Sequence, residues 1–536
     1  MVFKHFTWLI AILLMAAHCS GQVADTGELA AVRSCYDVTS YDLAIKVIPS
    51  TRTIEGYNVI SVRAVRGFSR MQLDLSAELT ASRITRNGRP LPFTREKDAL
   101  LIDLHLTEGQ TATIRVDYHG TPREPAEADG GADWRENLTG KPWITFLASE
   151  TGASRWWPCK DHPSDKADSV RVRIAVPEGL TAVAAGTLRH LSPKRADGFR
   201  EYEWSVRYPM AANALSVHVG DYTRIRDSYS AENGVKIPLD YYVLPYQAEK
   251  AKAHFQQVKE MLGCCEKYLG RYPFGRESFT LVEMPYLGRA FPGGIAYGNF
   301  YRNVPMYGFD QLLIHEMARS YFGLSLSGKM TSDKWIEESF ATYLESLYLE
   351  CRYGYAVAGQ YLREQQRKII GEYPIASLEN TPPKDTDIAF KGAWMLHTLR
   401  NVVDDDERWF GTLKGLATTY RYQQVGTEDV VRYLNQRLGV DCTPFFNQYL
   451  FRAAPPILEF KAVENPRRYK LSFRWAVAAQ GFDMPVEVTF DEGRTFQRLQ
   501  PTKEWQTVTL RKPDGGRFRV AAEKYYVVTR QLSYKD

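Results

Sequence analysis

Gln311–Glu345 reads QLLIHEMARSYFGLSLSGKMTSDKWIEESFATYLE. Apolar residues recur at helical spacing on both sides of a Gly- and Ser-rich break, so the stretch predicts two helices, Phe309 to Phe322 and Ser332 to Tyr353. Leu312, Leu313, Phe340 and Leu344 read as their core-facing stripe. Two imidazoles four residues apart on such a helix share one face and can grip a metal ion, while a glutamate beside the first faces the metal's water. His315 and Glu316 supply the first half of that arrangement. The position four beyond His315 is Arg319, whose guanidinium has no lone pair to donate and stays charged. Glu338, nineteen residues past Arg319, offers a carboxylate from the second helix.

Working outward, Ala248 to Tyr268 is helical by period, FTLVEMPY is a strand, and Tyr355 to Ile370 and Lys391 to Val402 continue the helices, with two more between Arg408 and Leu438. Upstream, segments such as YDLAIKVIP, TATIRVDYHG and REYEWSVRYP alternate between turn residues and read as strands from about Tyr36 to Tyr222. Thr121 to Pro163, which carries four tryptophans, reads as an irregular loop inside this β region. Strands return after Pro456 in KLSFRWAVA, MPVEVTFD, WQTVTLRK and KYYVVTRQL. The expected architecture is multidomain α+β: an N-terminal β domain over 30–225, a mainly helical domain over 226–453 and a small β-sandwich over 456–536. A chain of 536 residues suits such a division, because one hydrophobic core does not grow that large.

Lys4 followed by an apolar run, Phe6 to Ala17, reads as a signal peptide over 1–21, cleaved near Gly21 and Gln22. A lipid anchor through Cys19 is the alternative. Export to the periplasm or the exterior is therefore expected. No later segment reaches the about 18 uninterrupted apolar residues that a membrane span needs. Cys35, Cys159, Cys264, Cys265, Cys351 and Cys442 are too sparse for a disulfide scaffold and match no cysteine-based zinc spacing. One or two disulfides fit an oxidising compartment, with the pairing left open. The formal net charge of +5 is spread without a basic stripe, which excludes nucleic acid as an expected partner.

Three further segments give the helical pair a context. RWWPCKDHPSDKA (Arg155 to Ala167), GGIAY (Gly293 to Tyr297) and FKGAWMLHTLR (Phe390 to Arg400) flank it in order. Together with WIEESFATY around Glu338, they resemble the M1 family of zinc aminopeptidases, the gluzincins. The resemblance implies a thermolysin-like helical domain and covers nearly all of the mature chain. It implies zinc held by His315, Glu338 and a second histidine; Glu316 as the catalytic base; and substrate contacts from Gly293, Gly294 and, near the WWPC segment, Glu150. Three positions depart from the family pattern. Arg319 replaces the second zinc histidine, Ala296 the glutamate that anchors a substrate amine, and Ala389 the tyrosine that stabilises the transition state.

A catalytic zinc wants three protein ligands, and His315 and Glu338 are two. Without the ion, water beside Glu316 keeps a pKa near 15.7 rather than about 7. Loss of one oxyanion donor alone costs roughly 3 to 4 kcal/mol in the transition state. The expected function is therefore an aminopeptidase-like protein that is inactive or severely impaired and keeps a cleft for a peptide or protein ligand. One alternative is an active zinc peptidase with altered ligation, for example through His162, and altered specificity. The other is a structural or assembly protein of the cell envelope. Glu338 is expected to meet Arg319 where the metal would sit, Glu316 to pair with Arg319 or another cation, Trp156 and Trp157 to pack, and Tyr297 to reshape the cleft.

Overall fold

The computed structural model describes residues 29–125, 130–148, 152–376 and 385–533. The leader, Cys19 and Glu150 lie outside the described residues. Tyr36–Ile48 is the organising strand of the first layer, burying alternate side chains as its sequence pattern predicts. It pairs antiparallel with Thr53–Ala64 and parallel with Ser169–Pro177, at the centre of an eight-stranded sheet. A three-stranded sheet, Phe68–Asp74, Ala99–Leu106 and Phe93–Glu96, lies beside it in sequence.

The stretch read as an irregular loop holds two strands, Gly130–Glu136 and Pro142–Ala148, paired antiparallel in a four-stranded sheet. Their Gly, Asp and Glu content hides the alternation that marks a strand. Trp156 and Trp157 are fully buried and pack on each other at 5.7 Å.

Thr223–Ser230 opens a separate, five-stranded sheet. Its order is Thr223–Ser230, Lys236–Val243, β1 (Phe279–Glu283), β3 (Gly294–Tyr297) and β2 (Gly288–Phe291), so β2 is the edge strand. Five helices surround the site: α1 (Gln257–Leu269), α2 (Gln311–Tyr321), α3 (Lys334–Tyr353), α4 (Tyr355–Gln366) and α5 (Asp385–Val403). A disulfide between Cys264 on α1 and Cys351 on α3 ties two of them together, with Cα atoms 6.1 Å apart. Cys35, Cys159, Cys265 and Cys442 are buried and unpaired. No helix among the described residues is long and apolar enough to cross a membrane.

The Lys-Gly pair of FKGAWMLHTLR is a packing device. A Cβ on Gly392 would fall inside the Ser339 side chain, so glycine is what lets α5 lie against α3. Lys391 is fully buried and donates from Nζ to the carbonyls of Arg452 and Ala453, fixing α5 to the chain that enters the last domain. Burial lowers its pKa to about 8, opposed by Asp387. Gly392→Ala is expected to cost about 2 to 3 kcal/mol of unfolding free energy by overpacking this crossing, read from the denaturant midpoint. The final domain sets a four-stranded sheet (Gln506–Arg511, Arg468–Ala476, Ile457–Asn465, Val528–Gln531) beside a three-stranded one (Gln497–Leu499, Val486–Thr489, Arg519–Val520).

Candidate functional site

Helix α2 carries the site, and its start is fixed by Asp310. That carboxylate accepts from the backbone N–H groups of Leu312 and Leu313 at 3.0 and 3.3 Å, the N-cap role that acidic side chains favour. Tyr297 Oη donates to Asp310 at 2.6 Å, and Asn299 Nδ2 donates to it at 2.8 Å. Tyr297 is thus fully buried under the helix start and does not reshape the cleft. Asp310→Ala is expected to cost about 3 kcal/mol, since it removes a cap and the buried carboxylate to which Tyr297 Oη and Asn299 Nδ2 donate. Urea unfolding followed by circular dichroism measures it.

One turn into α2, His315 and Arg319 share a face, as their spacing requires. Arg319 Nη1 donates to Glu338 Oε1, and Nη2 lies 3.5 Å from Glu337 Oε2. Gly323, at φ +137°, turns the chain past Arg319 and Glu337. Phe322 stacks on Phe340 with centroids 4.4 Å apart, holding the α2 end against α3. The predicted meeting of Arg319 with Glu338 is formed. Burial pushes the Glu338 carboxyl up, but Arg319 and His315 outweigh it and hold its pKa at about 2.

His315 Nε2 lies 3.6 Å from Glu338 Oε2, and its Nδ1 lies 2.7 Å from Glu345 Oε1. Burial opposes charge on this imidazole, yet Glu338 and Glu345 raise its pKa to about 10. Glu345 is the residue that sequence reading left without a role. It is 1% exposed at its side chain and collects Gln311 Nε2, Tyr361 Oη and Gln365 Nε2 at 3.0, 2.5 and 3.1 Å besides His315. The signal was its position seven residues beyond Glu338, two helical turns along one face of α3.

Glu316 is buried and accepts from Ala290 N at 2.7 Å, so its contact is a backbone amide of β2 rather than the cation expected. This contact also identifies β2 as the strand beside the site. Gly293 and Gly294 lie one strand further in: Gly293 O accepts from Thr280 N at 2.8 Å, and Gly294 is buried against Thr280 O. Ala296, paired with Arg289 across β2 and β3, is 2% exposed. Ala389 sits on α5 and offers no hydroxyl.

Beside Arg319 the cleft holds a cavity of about 170 Å³ lined by His162, Lys166, Arg289, Lys334 and Glu337 among others. His162 Nδ1 is 2.6 Å from Ser164 Oγ. Lys166 Nζ donates to Leu324 O and Ser325 O at 3.2 and 3.3 Å. Its pKa is lowered to about 8 by burial, opposed by Glu337.

The donors present do not fit a catalytic zinc. His315 and Glu338 supply two ligands, the third place is filled by a cation, and His315 is held in its charged form by two carboxylates. Among the described residues, no group of three or more His, Cys, Asp or Glu side chains is placed to hold a metal ion.

Comparison with known proteins agrees with this architecture. Residues 38–212 match the family model described as the Peptidase M1 N-terminal domain. Aminopeptidase B of Mus musculus is 24% identical over 449 residues, covering 74% of this chain and 65% of that protein. Tricorn protease-interacting factor F2 of Thermoplasma acidophilum is 21% identical over 505 residues, covering 85% and 60% respectively. The chain thus spans about two thirds or less of these curated relatives. The crystal structure of an M1 zinc metallopeptidase from Deinococcus radiodurans superposes with a TM-score of 0.67 at 23% identity, covering 78% of this chain and 94% of that one. A variant of that enzyme bound to a Tyr-Ser-Ala substrate gives 0.66 at 22% identity, with the same 78% and 94% coverage. The N-terminal match and the shared fold lead to one conclusion: residues 38–212 are those of a Peptidase M1 N-terminal domain, and the chain has the fold of M1 zinc metallopeptidases with no metal-holding group among its described residues.

Proposed function

We propose that this protein is a divergent, catalytically silent member of the M1 zinc aminopeptidase family that holds a peptide or a protein chain end in the old active-site cleft. The observation that carries this reading is the Arg319–Glu338 ion pair at the position of the metal. Ala296 and Ala389 support it, since neither the amine anchor nor the oxyanion donor has a replacement at its own position. The Deinococcus relative was captured with a tripeptide substrate, which motivates a peptide as the ligand class. In this reading His315, Glu316 and Glu338 shape the cleft floor, the β2 edge borders it, Gly293, Gly294 and Glu150 keep their proposed roles as ligand contacts, and the three domains follow the boundaries read from sequence. We place the protein outside the cytoplasm, in the periplasm or secreted; the Cys264–Cys351 disulfide supports that placement.

A panel of tripeptides tests the reading by calorimetry and by product release, with and without added zinc. Saturable binding of at least one peptide and no turnover in either condition is expected. Zinc-stimulated hydrolysis that disappears in Glu316→Gln would overturn the silent-cleft reading and establish an altered metallopeptidase.

A further inference from the structure

On the other side of Pro209 from the Arg319 cleft lies a larger cavity, about 400 Å³, where the first β layer meets the turn after α1. Four arginines line it from three separate elements, together with one buried carboxylate, Glu266, which accepts from Tyr229 Oη at 2.8 Å. Arg207 follows the strand Phe199–Val206, Arg271 and Arg276 lie in the turn after α1, and Arg421 follows the helix Asp406–Thr419. Arg207 reaches Glu277 at 3.4 Å, but that carboxylate already takes Arg189 at 2.8 Å. Arg271, Arg276 and Arg421 form no ion pair among the described residues. Arg421 Nε is buried with no acceptor among the described residues. A buried donor without a partner is destabilising, and an acceptor supplied by a ligand relieves it.

The cavity wall between the arginines is aromatic. Tyr208 and Tyr422 pack at 5.1 Å, and Tyr272 lines the same space. Tyr208 Oη accepts from Arg276 N at 3.0 Å, and Tyr422 Oη donates to Pro273 O. Tyr422 adopts φ +63°, a backbone conformation that a side chain of its size rarely takes and that clusters at ligand sites. Guanidinium groups recognise the paired oxygens of phosphate, sulfate and carboxylate, and they do so best where several converge. The space is several times that of an inorganic anion, and its tyrosine faces suit a planar or apolar body joined to the charged group.

We propose that this cavity is a second ligand site, separate from the peptidase cleft, that binds an oxyanion of the phosphate or sulfate type, with Arg276 and Arg421 as its principal donors. The anion neutralises the arginine cluster and supplies the acceptor that Arg421 Nε lacks.

Calorimetric titration of the full chain with inorganic phosphate and with phenyl phosphate, at constant ionic strength balanced by chloride, tests the site. One saturable equivalent is expected for each. Phenyl phosphate binding about tenfold tighter identifies an esterified ligand, and equal affinity identifies the free anion; either result supports the proposal. Arg421→Gln is expected to weaken binding at least tenfold. Arg276→Gln, at an exposed side chain whose removal spares the core, is expected to do the same. Lys166→Met, in the neighbouring cleft, is expected to leave binding unchanged. Non-saturable heats, or binding lost in Lys166→Met and kept in Arg276→Gln, overturn the assignment.

Discussion

Arg319→His is expected to turn this chain into a zinc binder, with a dissociation constant at least about 1,000-fold tighter than that of the natural sequence. Half of a metal site already stands. His315 Nε2 and Glu338 Oε2 are 3.6 Å apart. Two ligands of a tetrahedral zinc with bonds of about 2.0 Å lie roughly 3.3 Å from each other. His315 also keeps the carboxylate on its other nitrogen, Glu345, that orients a ligating imidazole. What blocks the ion is Arg319, which fills the third position with positive charge and engages Glu338. The substitution removes the cation, frees Glu338 and adds a donor one turn from His315. Metal analysis and a competition titration with a zinc chelator give the affinities, and the natural chain is expected to hold less than about 0.1 zinc per molecule. Arg319→Ala, which removes the charge without adding a donor, is expected to remain far weaker than Arg319→His. Near-stoichiometric zinc in the natural protein would show that a ligand set exists despite Arg319. Peptidase activity is not expected to follow zinc into Arg319→His, because Ala389 and Ala296 still lack the groups that act on the substrate.

How far the site was legible follows from the range of the interactions involved. The His315–Arg319 face and the approach of Glu338 were readable because helical spacing fixes them locally and the two helices are adjacent in sequence. Glu345 stood inside the same quoted stretch. Its importance comes from Tyr361 and Gln365 on α4, whose approach no periodicity announces. The contact between β2 and Glu316 was not legible for a topological reason. GGIAY follows β2 in sequence, but β3 inserts between β1 and β2, so the earlier segment ends up at the edge against Glu316. The Cys264–Cys351 pairing joins residues 87 positions apart through the packing of α1 on α3 and had no sequence signature, since Cys265 was an equal candidate. The arginine cavity is the extreme case, for its four cations come from three elements and read individually as ordinary surface charge.

The Arg319–Glu338 pair is expected to show the largest stability coupling in the cleft. Arg319→Ala leaves Glu337 and Glu338 facing each other with their shared cation gone, and Glu338→Ala leaves Arg319 with Glu337 alone. Removing one partner of a fully buried pair costs about 3 to 5 kcal/mol. These side chains are 26% and 17% exposed, so solvent screening brings the expectation to about 2 to 3 kcal/mol for each single substitution. The double variant should lose less than the sum, leaving a coupling of about 2 kcal/mol. The dependence on pH has a definite sense. The Glu338 carboxyl is held at about 2 in the folded protein against 4.5 for the free group. Its contribution is therefore complete above about pH 4.5 and fades as the pH falls toward 2. Natural protein should lose stability between pH 5 and about 3 faster than Glu338→Gln does, measured as denaturant midpoints across that range. A coupling below about 0.5 kcal/mol, or parallel acid limbs in the two proteins, would mean that Arg319 sits in the metal's place without holding the cleft together.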